Sequence, residues 1–199
     1  MTTFDDSDVP APAKDASAIE KADAVITREA AEYRNNPAVA ALGHFGELAD
    51  QPPLITICAL TLGAGLFAGK PRLAAAGAQM LTAHLLATGM KAVVKRSVDR
   101  TRPSLLVEEN RYERGRGEHN EGDYNSFPSG HTAGVVAVAR AVTRIYPQAA
   151  LPAGLVAAAI ALVQIPRCKH YLSDITAGGV VGWLGELVAA RGLRVAIGR

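Results

Sequence analysis

The sequence predicts an all-α fold: a transmembrane helical bundle of about five spans, preceded by an N-terminal amphipathic helical region. Three observations predict it. Five apolar runs, at 54–69, 73–90, 133–145, 149–165 and 175–190, follow one another with almost no polar face between them, as in helices surrounded by apolar material. The runs are built from small residues: the chain holds 19 glycines and only 5% aromatics, which suits backbones in close approach. A polar first quarter stands apart from this apolar remainder.

Taken in order, residues 1–13 read as a disordered acidic tail. Residues 14–50 read as two amphipathic helices. In the first, Ile19, Ile26, Ala30 and Tyr33 recur at helical spacing and charged residues fill the other face, until Asn35, Asn36 and Pro37 end it. The second runs from about Ala38 to Leu48 and stops at Asp50-Gln51-Pro52-Pro53. Such helices either lie on a membrane surface or pack on the bundle. No positively charged segment followed by an apolar core marks residues 1–20 as a secretory signal, so the internal runs are expected to carry the chain into the membrane.

Residues 51–199 form the main domain. Spanning a bilayer takes roughly 17–25 residues, and each run sits near that lower limit unless its flanks join in. A soluble bundle of buried helices is the alternative. Gln79 and His84, polar within the second run, read as interhelical hydrogen-bonding groups, with a functional role as the alternative. Cys58 reads as a buried thiol. Net charge is only +2, which gives no electrostatic case for nucleic acid.

The long polar segment between the second and third runs, and the short one after the fourth, carry the chemistry. Lys95, Arg96, Arg100 and Arg102-Pro103 form one cluster, Phe127-Pro128-Ser129-Gly130-His131 a second, and Arg167-Cys168-Lys169-His170 with Asp174 a third. Each abuts the end of an apolar run. The chain leaves the second run at Lys91 and enters the third at His131, and runs three and four cross and return. The three clusters therefore meet at one mouth.

Cations concentrated there suit a phosphate, Arg by its planar fork of donors and Lys as a point charge. Ser129 can cap the helix beginning near His131, and Gly130 lets backbone approach a ligand, so a helix N-terminus is offered to an anion. His131 stands beside it as a proton donor to a leaving oxygen. His170 and Asp174, four apart, share a face if helical. An acid beside an imidazole fixes its tautomer and leaves the other nitrogen free to attack phosphorus. Cys168, flanked by cations, is the weaker candidate nucleophile. No metal or other cofactor is expected, because cations and backbone donors supply the charge neutralisation that phosphoryl transfer needs. The acids Glu108, Glu109, Glu118, Glu121 and Asp123 show no ligand spacing.

These clusters resemble the type 2 phosphatidic acid phosphatase superfamily, which includes membrane lipid phosphatases, soluble acid phosphatases and vanadium haloperoxidases. Lys95, Arg102 and Pro103 match its K-x6-R-P motif, Pro128 to His131 its P-S-G-H motif, and His170 and Asp174 its H-x3-D pair. The resemblance covers about residues 50–190. It implies a helical bundle, His170 as nucleophile, Asp174 as its partner, His131 as general acid, and Lys95, Arg102, Ser129 and Gly130 as phosphate ligands. Six residues before His170, where the family carries arginine, stands Gln164. Arg167, one turn further on, is the candidate to supply that charge.

The resemblance implies a polyprenyl diphosphate, phosphatidate or phosphatidylglycerol phosphate as substrate, with membrane lipids around the protein. A non-catalytic lipid-phosphate binding or transport protein, or a soluble acid phosphatase, is the alternative. Away from the mouth lie Lys70, Arg72, Arg140, Arg144, Arg191, Arg194 and Arg199, whereas the first fifty residues carry four basic and ten acidic residues. The positive-inside rule then predicts a multi-pass protein of the cell (inner) membrane, with its site facing the periplasm or exterior. The oligomeric state is not legible.

Overall fold

The computed structural model describes residues 7–119 and 122–196. Residues 1–6, Glu121 and Arg199 therefore lie outside the described residues. Eight α-helices are described: α1 (Ala18–Ala31), α2 (Pro37–Gly46), α3 (Gln51–Phe67), α4 (Pro71–Lys95), α5 (Pro103–Glu108), α6 (Gly130–Ile145), α7 (Ala150–Leu162) and α8 (Leu172–Ala196). The five apolar runs fall one each in α3, α4, α6, α7 and α8.

Helix boundaries follow from local chemistry. Ser17 and Glu20 close a capping box at the start of α1. The Asn36 side chain accepts from the Ala38 N–H at 2.8 Å, with Pro37 in the first helical position of α2. Prolines also open α3, α4 and α5. Gly69, at φ +61, supplies the left-handed residue of the tight α3–α4 turn.

The bundle is centred on α4 and α6. α4 packs on α3, α6 and α8, while α6 packs on α7 and α8. Close approach depends on the small residues the sequence supplies. A Cβ at Gly182 would lie 2.4 Å from the Ala133 carbonyl oxygen, so only glycine lets α8 meet α6 there. Inside the bundle Glu186 is fully buried. It accepts from Arg144 at 2.8 Å and from Gln79 at 3.2 Å, with Arg140 at 3.5 Å. Gln79 thus makes the interhelical bond expected of it. His84 does not: neither ring nitrogen has a partner among the described residues.

Among the described residues no helix is long and apolar enough to cross a membrane. α3, α6 and α7 have 17, 16 and 13 residues, while the 25-residue α4 is interrupted by Gln79 and His84 and the 25-residue α8 by Glu186.

The fold is mostly helical, as expected, and the polar segment after α4 adds a small cap. Strands β1 (Val98–Arg100) and β2 (Arg114–Arg116) pair antiparallel there, with Asp99 opposite Gly115. One expectation needs correction: residues 7–13 do not form a disordered tail. Val9 and Ala13 are buried against Val25, Leu106 and Tyr171, apolar contacts that hold the segment down. The face of α1 named from the sequence is only partly covered: Ile26 and Ala30 pack near α7 and α8, whereas Ile19 and Tyr33 are exposed.

Candidate active site

The mouth forms where the C-terminal end of α4, the cap, the N-terminus of α6 and the turn before α8 meet. A cavity of about 330 Å³ is lined there by Lys91, Lys95, Arg102, Gly130, His131 and His170, with Asp50, Gln51 and His84 completing its wall. Five of the eight site residues named from the sequence thus line one cavity.

His170 sits in a compact turn. α7 ends at Leu162, and the Gln164 carbonyl accepts from the N–H groups of both Lys169 and His170, while Cys168 adopts φ +53. The turn buries the imidazole, which is 3% exposed. Nδ1 lies 2.8 Å from the Ser126 carbonyl oxygen. A carbonyl only accepts, so Nδ1 carries the proton and Nε2 keeps its lone pair. Burial pushes the ring pKa below the ordinary histidine value. Asp174 opposes that shift, and Arg102 and Lys95 add to it.

Asp174 is therefore not the hydrogen-bonding partner the spacing suggested. His170 precedes α8 instead of lying on it, so the helical relation of positions four apart does not form. Asp174 Oδ2 stands 3.9 Å from His170 Nδ1, beyond hydrogen-bond range. Its oxygens are otherwise engaged. Oδ2 accepts from the Tyr171 N–H at 2.8 Å and the Ser126 hydroxyl at 2.5 Å, and Oδ1 from Arg100 at 2.7 Å. Burial alone would raise this carboxyl's pKa. His170, Arg100 and Ser126 outweigh it and hold it below the carboxylate range. Asp174 acts on His170 through charge and through Ser126, whose hydroxyl it grips while the Ser126 carbonyl grips the ring.

His131 opens α6 opposite. The two imidazole centroids are 6.3 Å apart. His131 Nε2 lies 2.9 Å from Asp50 Oδ1, at the residue preceding α3. Burial depresses the His131 pKa. Asp50 works against that, while His170, Arg167 and Arg102 reinforce it.

Cations and backbone complete the wall. Lys95 Nζ donates to the Asn125 carbonyl. Burial, with Arg102 and Lys91 nearby, brings its pKa down to about 8. Arg102 is aimed by two carbonyls, Gly122 at 2.6 Å and Lys169 at 3.2 Å. A Cβ at Gly130 would sit 3.3 Å from Lys91 Nζ, so glycine there leaves room for the amine.

Two named ligands are placed differently. The Ser129 hydroxyl is fully buried and accepts from the Thr132 hydroxyl at 3.0 Å; it caps α6 instead of facing the cavity. Arg167 does not replace the missing family arginine. α7 has already ended, so the assumed helical turn is absent. The guanidinium reaches α2 instead, donating to the Gly43 carbonyl at 3.0 Å and to Glu47 at 3.1 Å. Gln164, also buried, donates to the Ile160 carbonyl at 3.0 Å.

Arg100, expected at the mouth, is buried behind it, between Asp174 and Asp23 at 2.7 and 2.9 Å. Of the residues the sequence reading missed, only Lys91 carried a signal: it lies four before Lys95, on the same helix face. Cys168 is buried, and burial raises its thiol pKa. Among the described residues, no group of three or more His, Cys, Asp or Glu side chains is arranged to hold a metal ion.

The family profile described as the PAP2 superfamily matches residues 76–196. Two solved structures share the fold. One is the first transmembrane PAP2 type phosphatidylglycerolphosphate phosphatase from Bacillus subtilis, with TM-score 0.68 and 20% identity over 93% of this chain and 90% of that one. The other is LpxE from Aquifex aeolicus, with TM-score 0.57 and 18% identity over 83% of this chain and 93% of that one. No curated protein matches in sequence.

Proposed function

Because the chain belongs to the PAP2 superfamily, we propose that it is a phosphatase acting on a lipid phosphate or diphosphate through a phosphohistidine on His170. One observation carries this reading. Two imidazoles face each other across a cationic cavity, and one nitrogen of His170 is committed to the Ser126 carbonyl while the other is free.

The substrate phosphate enters among Lys95, Arg102, Lys91 and the free N–H groups at the start of α6. Positioning and charge neutralisation are the main demands of phosphoryl transfer. His170 Nε2 attacks phosphorus, the P–N bond forms and the bond to the leaving oxygen breaks. His131, protonated beside Asp50, gives its proton to that oxygen. Neutral His131 then takes a proton from water, the water oxygen attacks phosphorus, the P–N bond breaks and inorganic phosphate leaves.

A membrane location belongs to the same proposal. Leu60, Leu66 and Phe67 on α3, Leu151 and Leu155 on α7, and Val180 and Trp183 on α8 are exposed large apolar side chains. A surface of that kind marks an interaction site, here the lipid around a multi-pass bundle of about five spans, with the mouth on the periplasmic or outer side. Phosphatidylglycerol phosphate, for which the Bacillus subtilis phosphatase is named, joins phosphatidate and polyprenyl diphosphate as candidate substrates.

The test is phosphate release by the full-length protein in detergent with excess chelator, from each of the three substrates. Release supports metal-independent hydrolysis. Tight binding without release, by folded protein, supports the non-catalytic alternative, which Gln164 and the turned-away Arg167 favour.

Lys95 adds a pH signature. Its charge is lost as pH rises through about 8. Above that value KM should rise by up to about tenfold per pH unit, while Lys95→Arg, charged throughout, should show a flat KM over the same range. Parallel KM profiles would remove Lys95 from the phosphate site.

A further inference from the structure

We propose that Asp23, on α1, is a positioning residue for catalysis: acting through Arg100 it fixes Asp174, so that the N-terminal helix is a working part of the active site. This rests on the phosphohistidine reading above. It assigns a role to residues 18–31, which lie outside the stretch 76–196 matched by the family profile.

α1 turns acids, not only apolar side chains, toward the bundle. Glu20 is 7% and Asp23 3% exposed. Burying a carboxylate is costly unless it is paired and hydrogen-bonded, and Asp23 is both. Its Oδ2 meets Arg100 Nη2 at 2.9 Å and accepts from the Ser173 hydroxyl, and its Oδ1 accepts from the Ser173 N–H at 3.0 Å. Arg100 divides its fork between helices. Nη2 goes to Asp23, while Nη1 goes to Asp174 Oδ1 and the Ser173 hydroxyl, each at 2.7 Å. Arg100 Nε donates to the Tyr112 hydroxyl at 3.2 Å, and that hydroxyl donates to Glu20 at 2.5 Å, a second link to α1. The guanidinium also lies 4.1 Å from the Tyr171 ring centroid.

The charges explain why α1 matters to His170. Asp23, Arg100 and Asp174 together carry one net negative charge. Neutralising Asp23 leaves Arg100 to cancel Asp174 alone, so the negative potential at His170, 3.9 Å from Asp174, falls. The groups facing His170 are Lys95 from α4, Arg102 beside α5, His131 from α6 and Asp174 from α8. Three of the four are cationic or neutral, so weakening Asp174 is not made up by a neighbour. The imidazolium is then less stabilised and its proton leaves at lower pH.

The experiment compares wild type, Asp23→Asn, Asp23→Glu, Val25→Ala and His170→Ala, as full chains in detergent on phosphatidate. Asp23→Asn should lower kcat about tenfold or more with KM within about twofold. The acid limb of kcat/KM should move to lower pH by about half a unit or more. Asp23→Glu, which keeps the charge, should recover most of kcat. Val25→Ala loosens the same helix without touching a charge and should leave the acid limb in place. Asp23→Ser replaces Asp23→Asn if the latter does not fold. Wild-type kcat and acid limb in Asp23→Asn, with His170→Ala inactive, would overturn the role of Asp23 alone. So would a loss matching that of Val25→Ala with an unmoved acid limb. Phosphate release by His170→Ala would overturn the phosphohistidine reading and this inference together.

Discussion

Replacing His170 with alanine should reduce phosphate release on the order of 10⁴–10⁶-fold, the scale reached when a covalent nucleophile is removed. KM should change little, because the cationic wall proposed to hold the phosphate is intact. The reason is geometric. Nδ1 of His170 is tied to the Ser126 carbonyl at 2.8 Å, so Nε2 is the atom left to attack. His131 cannot take over while it serves as general acid, because the imidazolium held beside Asp50 at 2.9 Å has no lone pair with which to attack. Rapid acid-free quenching with a 32P-labelled substrate gives a second measurement. Wild type should carry base-stable, acid-labile label on the chain, and His170→Ala none. His131→Ala should differ in kind. Its deficit should shrink on p-nitrophenyl phosphate, whose leaving group needs no proton, whereas the deficit of His170→Ala should not. Equal deficits of His131→Ala on both substrates would remove His131 as the general acid.

The burial of His170 sets the expected pH range. Its pKa lies below the ordinary histidine value, because burial disfavours the imidazolium more than Asp174 favours it. A nucleophile must be unprotonated, so the acid limb should lie below the value of a free imidazole. The His131 pKa is depressed as well, and a general acid must be protonated, so activity should decline toward neutral pH. The optimum is thus expected on the acidic side of neutrality.

Much of this site was legible because it lies at helix ends. Counting apolar runs brings Lys95, Arg102, Gly130, His131 and His170 to one mouth, and they line one cavity. Readings that assumed helical spacing across a break went wrong. Arg167 follows the end of α7, and His170 precedes the start of α8, so neither obeys a helical neighbour rule. Other contributions had no sequence signature. A backbone carbonyl such as that of Ser126 looks the same at every residue. Asp50 read as a stop signal because it precedes Pro52 and Pro53, and its contact with His131 depends on how α3 meets α6. Asp23 acts 150 positions from Ser173, and its charge on an amphipathic helix gave no reason to bury it. The cap also escaped notice, since two strands of three residues are too short to show alternation.

Arg100→Leu should destabilise the protein by roughly 3–5 kcal/mol, more than any change at the cavity surface, because it strands two buried carboxylates. Asp23 and Asp174 have side chains 4% and 0% exposed, and Arg100 is the cation between them. Without it they repel each other in a poorly solvated site. The cost should therefore belong to the orphaned acids and not to the lost guanidinium packing over Tyr171. A double-mutant cycle separates the two. If the acids carry the cost, Arg100→Leu combined with Asp23→Asn should melt at a higher temperature than Arg100→Leu alone, although each change by itself is destabilising. Arg100→Lys should fall between them, because one ammonium cannot reproduce a fork that reaches Asp23 with one nitrogen and Asp174 with another. Thermal unfolding in detergent reads wild type, Arg100→Leu, Asp23→Asn, the double variant and Arg100→Lys. A double variant less stable than Arg100→Leu would mean that packing, not charge, is what Arg100 supplies.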